Sequence, residues 1–475
     1  VSDNLIGKEL KRRIFRAFKN GWDLLDDKES EALFKLNEEY KTFLDKGKTE
    51  RECIHEIIQT ARDNGYISLE ELIIGNQRLE PGTKIYVNNR DKAAVMIVIG
   101  SEPIEAGMHI IGAHVDVPRL DLKPNPLYED GGLAFFKTHY YGGIKKYQWT
   151  AIPLALHGVV IKKNGEKINI VIGEDEKDPV FFITDLLPHL AKDQLEKKLN
   201  EGVTGEGLNI LVGSIPFRDY EIKERVKLNI MRLLYEKYGI DEEDFFIAEI
   251  EAVPAGKAKD VGFDSSMVGA HGHDDRVCAF TALKAILGIE VPNKTAVALF
   301  VDKEEVGSMG NTGMESRFFE NTVAELLMLQ NQGPVEILIR RAMANSKVLS
   351  GDVGAAFDPN YPDVLDKRNA AYAGKGVILM KYTGVRGKSG SNDANAEFLA
   401  EVRNIFNRNG VLWQVGELGK VDQGGGGTIA YILANYGADV VDCGVPVLSM
   451  HAPMEIVSKA DVYMTYKAYQ AFYKA

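Results

Sequence analysis

A chain of 475 residues, 45% hydrophobic and 27% charged, has the composition of an ordinary globular enzyme and is long for one core, so two or three domains are expected. Its formal charge of −12 disfavours a nucleic-acid partner, whose phosphates need a basic surface. No apolar run approaches the ~20 residues of a membrane span, and the scattered Cys53, Cys278 and Cys443 exclude a disulfide framework or a thiolate zinc site.

The N-terminal stretch VSDNLIGKELKRRIF carries charges throughout and no apolar segment, so no secretion signal is expected. Together with the cysteine pattern this predicts a cytoplasmic protein. The first 80 residues read as helices. KESEALFKLNEEYKTFLDKG places Leu33, Phe34, Leu36, Tyr40 and Phe43 near helical spacing, and Gly47 ends it. In TERECIHEIIQTARDNG, Thr49 is an N-cap with Glu52 three residues on, and Gly65 is the stop.

From residue 84 the period changes to that of strands: KIYVNN, AAVMIVIG and MHIIGAHVDVP, the last two apolar enough to be buried on both faces. Between about 119 and 250 the texture is different. Short β-like runs such as ALHGVVIKKNGEKINIVIG, with an Asn164-Gly165 hairpin signal, alternate with polar turns, and a charged helical stretch covers 222–239. Strand–helix alternation then resumes through HDDRVCAFTALKAILG, the strand at 295–301, KVLSGDVGAAF and ADVVDCGVPVLSM. The pattern predicts an α/β domain in two parts, residues 1–118 and 251–475, interrupted by a mostly β unit at 119–250.

The unusual polar residues fall where buried strands end, the edge at which open α/β sheets bind ligands. In IIGAHVDVP, His114 and Asp116 are two apart on a strand and leave from one face, with Asp116 placed to take the second ring nitrogen. Such a pair alone is more often structural. In GAHGHDDRV, N-capping explains one of Asp274 and Asp275 comfortably and the second less well, while His271 and His273 fit loop roles better than ligation. Asp352 follows a short apolar run, and His451 ends a strand with an acid-capped helix beyond; each alone is an ordinary turn or structural residue. In TAVALFVDKEEVGSMG, adjacent Glu304 and Glu305 repel each other at a buried strand end and are costly to desolvate.

Taken jointly, two histidines, two aspartates and a glutamate make an oxygen- and imidazole-rich set without sulfur. It suits two divalent cations, zinc first, with cobalt or manganese as alternatives. Two such ions ~3.5–4 Å apart are a standard hydrolytic device. One glutamate would then bind metal and its neighbour act as general base; adjacency alone does not say which.

These segments, IIGAHVDVPRL, HDDRVCAFTAL, DKEEVGSMG, SGDVGAAFDPNYP, KYTGVRGKSGSNDANAEF and CGVPVLSMHAPMEI, resemble in order and spacing the M18 family of metallo-aminopeptidases, which includes aspartyl aminopeptidase and yeast vacuolar aminopeptidase I. The resemblance runs from about residue 80 to the C-terminus and points to the bacterial branch. It implies a mixed-sheet, zinc-exopeptidase-like catalytic domain that removes N-terminal residues from peptides. By position, it implies that His114 and Asp352 hold one metal, Glu305 and His451 the other, and that Asp274 bridges both. Glu304 becomes the general base on a metal-bridging water, and Asp116 the carboxylate behind His114. Asp275 is not counted as a ligand.

The same resemblance makes the 119–250 insertion a dimerisation domain and the protein a homo-oligomer, a dodecamer built from dimers. His157, in AIPLALHGVV, resembles a histidine that reaches a neighbouring subunit's site to polarise the scissile carbonyl, or binds metal; from the residues alone it is a buried strand histidine. Lys381 occupies the place of a basic specificity residue and is a substrate contact or a surface lysine. Ala355 stands where aspartyl aminopeptidases carry histidine, which weakens an acidic-residue preference. Asp274-Asp275-Arg276 also resembles the M42 aminopeptidases, but the chain length and the LALHG and SNDANAEF segments favour M18. A deacylase or carboxypeptidase using Arg276, Arg386 or Arg403, and a catalytically silent scaffold, are the rival readings; the complete ligand set disfavours the second.

Overall fold

The computed structural model describes residues 2–330 and 335–475. Its centre is a nine-stranded mixed sheet in the order Ile67–Ser68, Lys84–Asn89, Ala93–Val98, Thr295–Val301, Met108–His114, Lys347–Ser350, Asp439–Gly444, Val377–Met380, Trp413–Val415. Four adjacent strands in the middle, from Thr295–Val301 to Asp439–Gly444, run parallel and end at one edge. Register makes this edge level: Val301 pairs with His114, and Gly112 with Ser350. Every residue of Ala93–Val98, Met108–His114 and Thr295–Val301 is buried, as expected for runs covered on both faces.

Alternate side chains of these strands enter two separate layers. Phe300 packs with Leu33, Phe280 and Tyr469 in a core shared with helices Asp27–Lys46, His273–Leu287 and Lys459–Tyr473. Leu299 packs with Ile110, Val323 and Leu433 in a core shared with Phe318–Gln330 and Ala430–Asn435. The expected mixed α/β architecture is therefore present. Helix ends follow the local signals: Gly47 closes Asp27–Lys46, and Thr49 with Glu52 forms a capping box opening Glu50–Asp63. No helix among the described residues is long and apolar enough to cross a membrane.

A seven-stranded antiparallel sheet draws every strand from Arg119–Asp130 through Glu249–Pro254 and has a core of its own around Leu120, Phe136, Trp149 and Ile250. A third sheet of five short strands, among them Met267–Ala270 and Glu455–Ser458, was not visible in the sequence pattern. It lies beside the strand ends that carry the candidate site.

One buried group in the central sheet gives a pH prediction. His109, in Met108–His114, is 5% exposed and stacks on Phe472 with ring centroids 4.7 Å apart. Burial, with help from the Lys347 charge, pushes its pKa down to about 4. A depressed histidine pKa means the unfolded chain binds the extra proton first, so stability present above pH ~6.5 is lost as pH falls toward 4. Metal-free protein should lose about 2 kcal/mol more between pH 7 and 4.5 than a His109→Gln variant does. Urea midpoints at the two pH values check this, and equal slopes for both proteins would contradict it.

Candidate active site

Four loops leaving the parallel edge converge. His114 is the last residue of its strand and 2% exposed. Its Nδ1–H donates to the main-chain carbonyl of Asp116 at 2.9 Å, which turns Nε2 toward Asp274 Oδ1 at 3.2 Å. Asp274 opens the helix His273–Leu287 with non-helical φ/ψ of −80° and 107°, and is 4% exposed. Its other oxygen, Oδ2, lies 3.0 Å from His451 Nε2. That nitrogen is also 3.3 Å from Glu305 Oε1. Asp352, two residues past Lys347–Ser350, is buried on the His114 side.

Potential ligand atoms therefore fall into two groups, His114–Asp274–Asp352 and Asp274–Glu305–His451, the atoms of each lying within 4.8 Å of one another. Asp274 belongs to both. The donor set fits divalent cations on independent grounds. Glu305 Oε1 is buried without a hydrogen-bond donor. Among the described residues, no lysine or arginine forms an ion pair with Asp274, Glu304, Glu305 or Asp352. Burial first, and the neighbouring carboxylates second, push Glu305 and Asp352 well above the ordinary range and Glu304 up to about 7. Such a cluster of acids calls for positive charge from outside the chain.

Glu304 and Glu305 occupy a tight turn, Glu304–Val306, entered through Lys303 in the left-handed region. Glu304 is in neither ligand group; its Oε2 lies 3.9 Å from His114 Nε2. The Asp116 carboxylate accepts the N–H of Glu304 at 3.1 Å and of Glu305 at 3.2 Å. Asp116 also stands behind His114. The strand stops at His114, so period-2 geometry does not extend to Asp116, and its carboxylate oxygen stands 3.4 Å from His114 Nδ1 while its carbonyl takes that proton. Its carboxylate thus faces both His114 and the two glutamate N–H groups.

Asp275 is buried and accepts the His114 N–H at 3.3 Å, outside both groups. His273 has both ring nitrogens engaged, by Tyr40 Oη at 2.6 Å and the Val268 carbonyl at 3.0 Å. His271 is buried against the edge of Trp149. Arg276 is fully buried and donates to the Lys48 carbonyl.

Within its own chain His157 lies apart from the cluster. It is 2% exposed within its own chain, with ring nitrogens 2.8 Å from Glu52 Oε1 and 3.2 Å from Glu174 Oε1. Lys381 is likewise apart from the cluster. Val377–Met380 runs antiparallel to Asp439–Gly444, so Lys381 leaves the sheet away from the ligand edge. It is half exposed, 3.9 Å from Asp393, and lines a cavity of about 380 Å³ with Arg403 and Trp413.

Glu455 went unrecognised in the sequence. Fully buried, it accepts the N–H of Asp274 at 3.0 Å and of His451 at 2.6 Å, tying the shared carboxylate to the second histidine. The acid beyond His451 was read as a helix cap; it opens the strand Glu455–Ser458, and the helix after it has no side-chain cap. An acid among buried strand residues would have been the signal.

Known proteins match this chain over nearly its whole length. A family model described as aminopeptidase I zinc metalloprotease (M18) fits residues 43–473. A probable M18 family aminopeptidase 1 of Clostridium acetobutylicum is 56% identical, over 97% of this chain and 98% of its own. A solved M18 aminopeptidase of Thermotoga maritima superimposes with a TM-score of 0.92 at 46% identity, covering 97% and 99% of the two chains. More distantly, the mApe1 of S. cerevisiae, described as a dodecamer, shares the fold with a TM-score of 0.73 at 22% identity, over 92% and 96%.

Proposed function

The chain belongs to the M18 family of zinc metallo-aminopeptidases, and from that premise we propose that it is a two-cation enzyme whose general base is Glu304. The observation that carries this reading is the sharing of Asp274 by two ligand groups, with Glu304 beside them but in neither. His114 and Asp352 would hold one cation, Glu305 and His451 the other, and Asp274 both; zinc suits these donors, with cobalt or manganese as alternatives. When bound, the cations supply positive charge that polarises the scissile carbonyl and stabilises the negative charge growing on its oxygen.

The chain's own groups do the rest. Glu304, held by its N–H to Asp116, takes a proton from the attacking water and delivers it to the leaving amine. The carboxylate-rich mouth attracts a free α-ammonium group, which restricts cleavage to the N-terminal residue. A co-catalytic deacylase would instead seek a substrate carboxylate through an exposed arginine; Arg276 is buried and bonded to the main chain, while Arg386 and Arg403 are exposed, so an assay separates the readings. Zinc-loaded protein should therefore hydrolyse aminoacyl anilides with a free α-amine and leave their N-acetyl counterparts intact. Cleavage of the acylated set alone would overturn the assignment.

We read residues 1–118 and 251–475 as the catalytic domain and 119–250 as an inserted dimerisation domain of a homo-oligomer, a dodecamer built from dimers. The separate core of the seven-stranded sheet supports the division. Leu186, Leu187, Leu190, Leu195, Leu199 and Ile215 are exposed on it, an apolar display that suits burial against another copy. Cys53, Cys278 and Cys443, all free and buried, suit work in the cytoplasm.

A further inference from the structure

The last residue of one strand of the seven-stranded sheet and the two glycines that follow it reach the ligand cluster from outside the central sheet. Tyr141 ends the strand Leu133–Tyr141, and its hydroxyl donates to Asp116 Oδ2 at 2.7 Å. Its ring is covered by the Arg119 guanidinium at 3.9 Å, and Arg119 is fixed in turn by Glu251 at 3.0 Å and Asp121 at 2.9 Å. Gly142, at φ +72°, passes so close to Glu305 that a Cβ there would stand 3.3 Å from Oε2. The Gly143 carbonyl accepts the His451 Nδ1–H at 2.8 Å.

We infer that Tyr141-Gly142-Gly143 is a positioning element for the Asp274–Glu305–His451 group, making its cation affinity depend on the seven-stranded sheet. The inference rests on the two-cation reading above. Two contacts give it force. Tyr141 fixes the carboxylate that receives the Glu304 and Glu305 N–H groups, so it sets where both side chains start. Gly143 holds the Nδ1 proton of His451, which leaves the Nε2 lone pair facing Asp274 and Glu305. The His114 group is oriented by the Asp116 carbonyl at 2.9 Å, with Asp116 Oδ1 further off at 3.4 Å, whereas the tyrosine binds Oδ2, the oxygen that receives the Glu305 N–H. The two groups should therefore respond differently.

The test uses Tyr141→Phe, which keeps the ring over Arg119 and removes only the hydroxyl, and Gly142→Ala, which crowds Glu305. Stepwise zinc affinities are measured on the full chain by competition with a chelating dye, alongside cobalt absorption spectra and the melting temperature of the metal-free protein. In each variant one zinc should weaken by roughly 10- to 100-fold while the other keeps its affinity, with an altered cobalt spectrum. The metal-free melting temperature of Tyr141→Phe should match the parent's. Unchanged affinity for both ions in both variants would overturn the proposal. So would an equal loss at both sites accompanied by a lower metal-free melting temperature, which marks a merely structural role. A parent protein that binds a single zinc would instead bring down the two-cation reading itself, whatever the variants do.

Discussion

Replacing Glu304 with glutamine should leave the zinc content of the protein unchanged and lower kcat by roughly 10³-fold, the scale of removing a well-placed general base. Glutamine keeps the shape and the main-chain bond to Asp116, because that bond is made by the residue's N–H and not by its side chain. What it cannot do is accept a proton. Glu304 stands outside both ligand groups, so its loss should not release a cation. The same substitution at Glu305 should behave in the opposite way, since Glu305 Oε1 faces His451 Nε2 at 3.3 Å. Elemental analysis together with kcat on an aminoacyl anilide separates the two. Zinc loss in Glu304→Gln with turnover retained would exchange the roles of the adjacent glutamates.

That exchange is the question the sequence left open, and the structure narrows it through backbone geometry. Adjacent residues in a tight turn point their side chains apart, and one carboxylate, Asp116, receives both N–H groups. The convergence of His114, Asp274, Glu305, Asp352 and His451 was legible because each follows a buried strand or opens a helix beside one, and strand ends gather at one sheet edge. The capping box at Thr49 was legible because it is local.

Features set by long-range pairing were not. The third sheet is made of strands of two to four residues, too short to show a period. The local run around Lys381 does not reveal that its strand is antiparallel to its neighbour and leaves by the other edge. His157 reads from its apolar surroundings as a buried strand histidine, and only the family resemblance suggests a functional role. Its partners, Glu52 and Glu174, come from a helix 105 residues earlier and a turn 17 residues later. Tyr141 acts on the Asp116 carboxylate and Glu455 on two main-chain N–H groups, and the residues they meet are 25 positions away in Tyr141's case and up to 181 in Glu455's, beyond the reach of a local pattern.

Asp274→Asn should have the largest effect on metal binding, because the residue serves both groups at once. One carboxylate oxygen lies 3.2 Å from His114 Nε2 and the other 3.0 Å from His451 Nε2. An amide replaces one of these oxygens with a donor that cannot ligate a cation, and removes the negative charge both ions would share. Both zinc affinities should fall, at least one by roughly 100-fold or more, since partners one layer further out already contribute 10- to 100-fold. His451→Ala provides the contrast. It should empty only the Glu305 group and leave a single zinc on His114, Asp274 and Asp352. Turnover should collapse in both variants, so activity cannot tell them apart; zinc stoichiometry after dialysis against a zinc buffer can. If Asp274→Asn kept two ions at parental affinity, Asp274 would not be the bridge, and the two groups would be neighbouring acid clusters, not one centre.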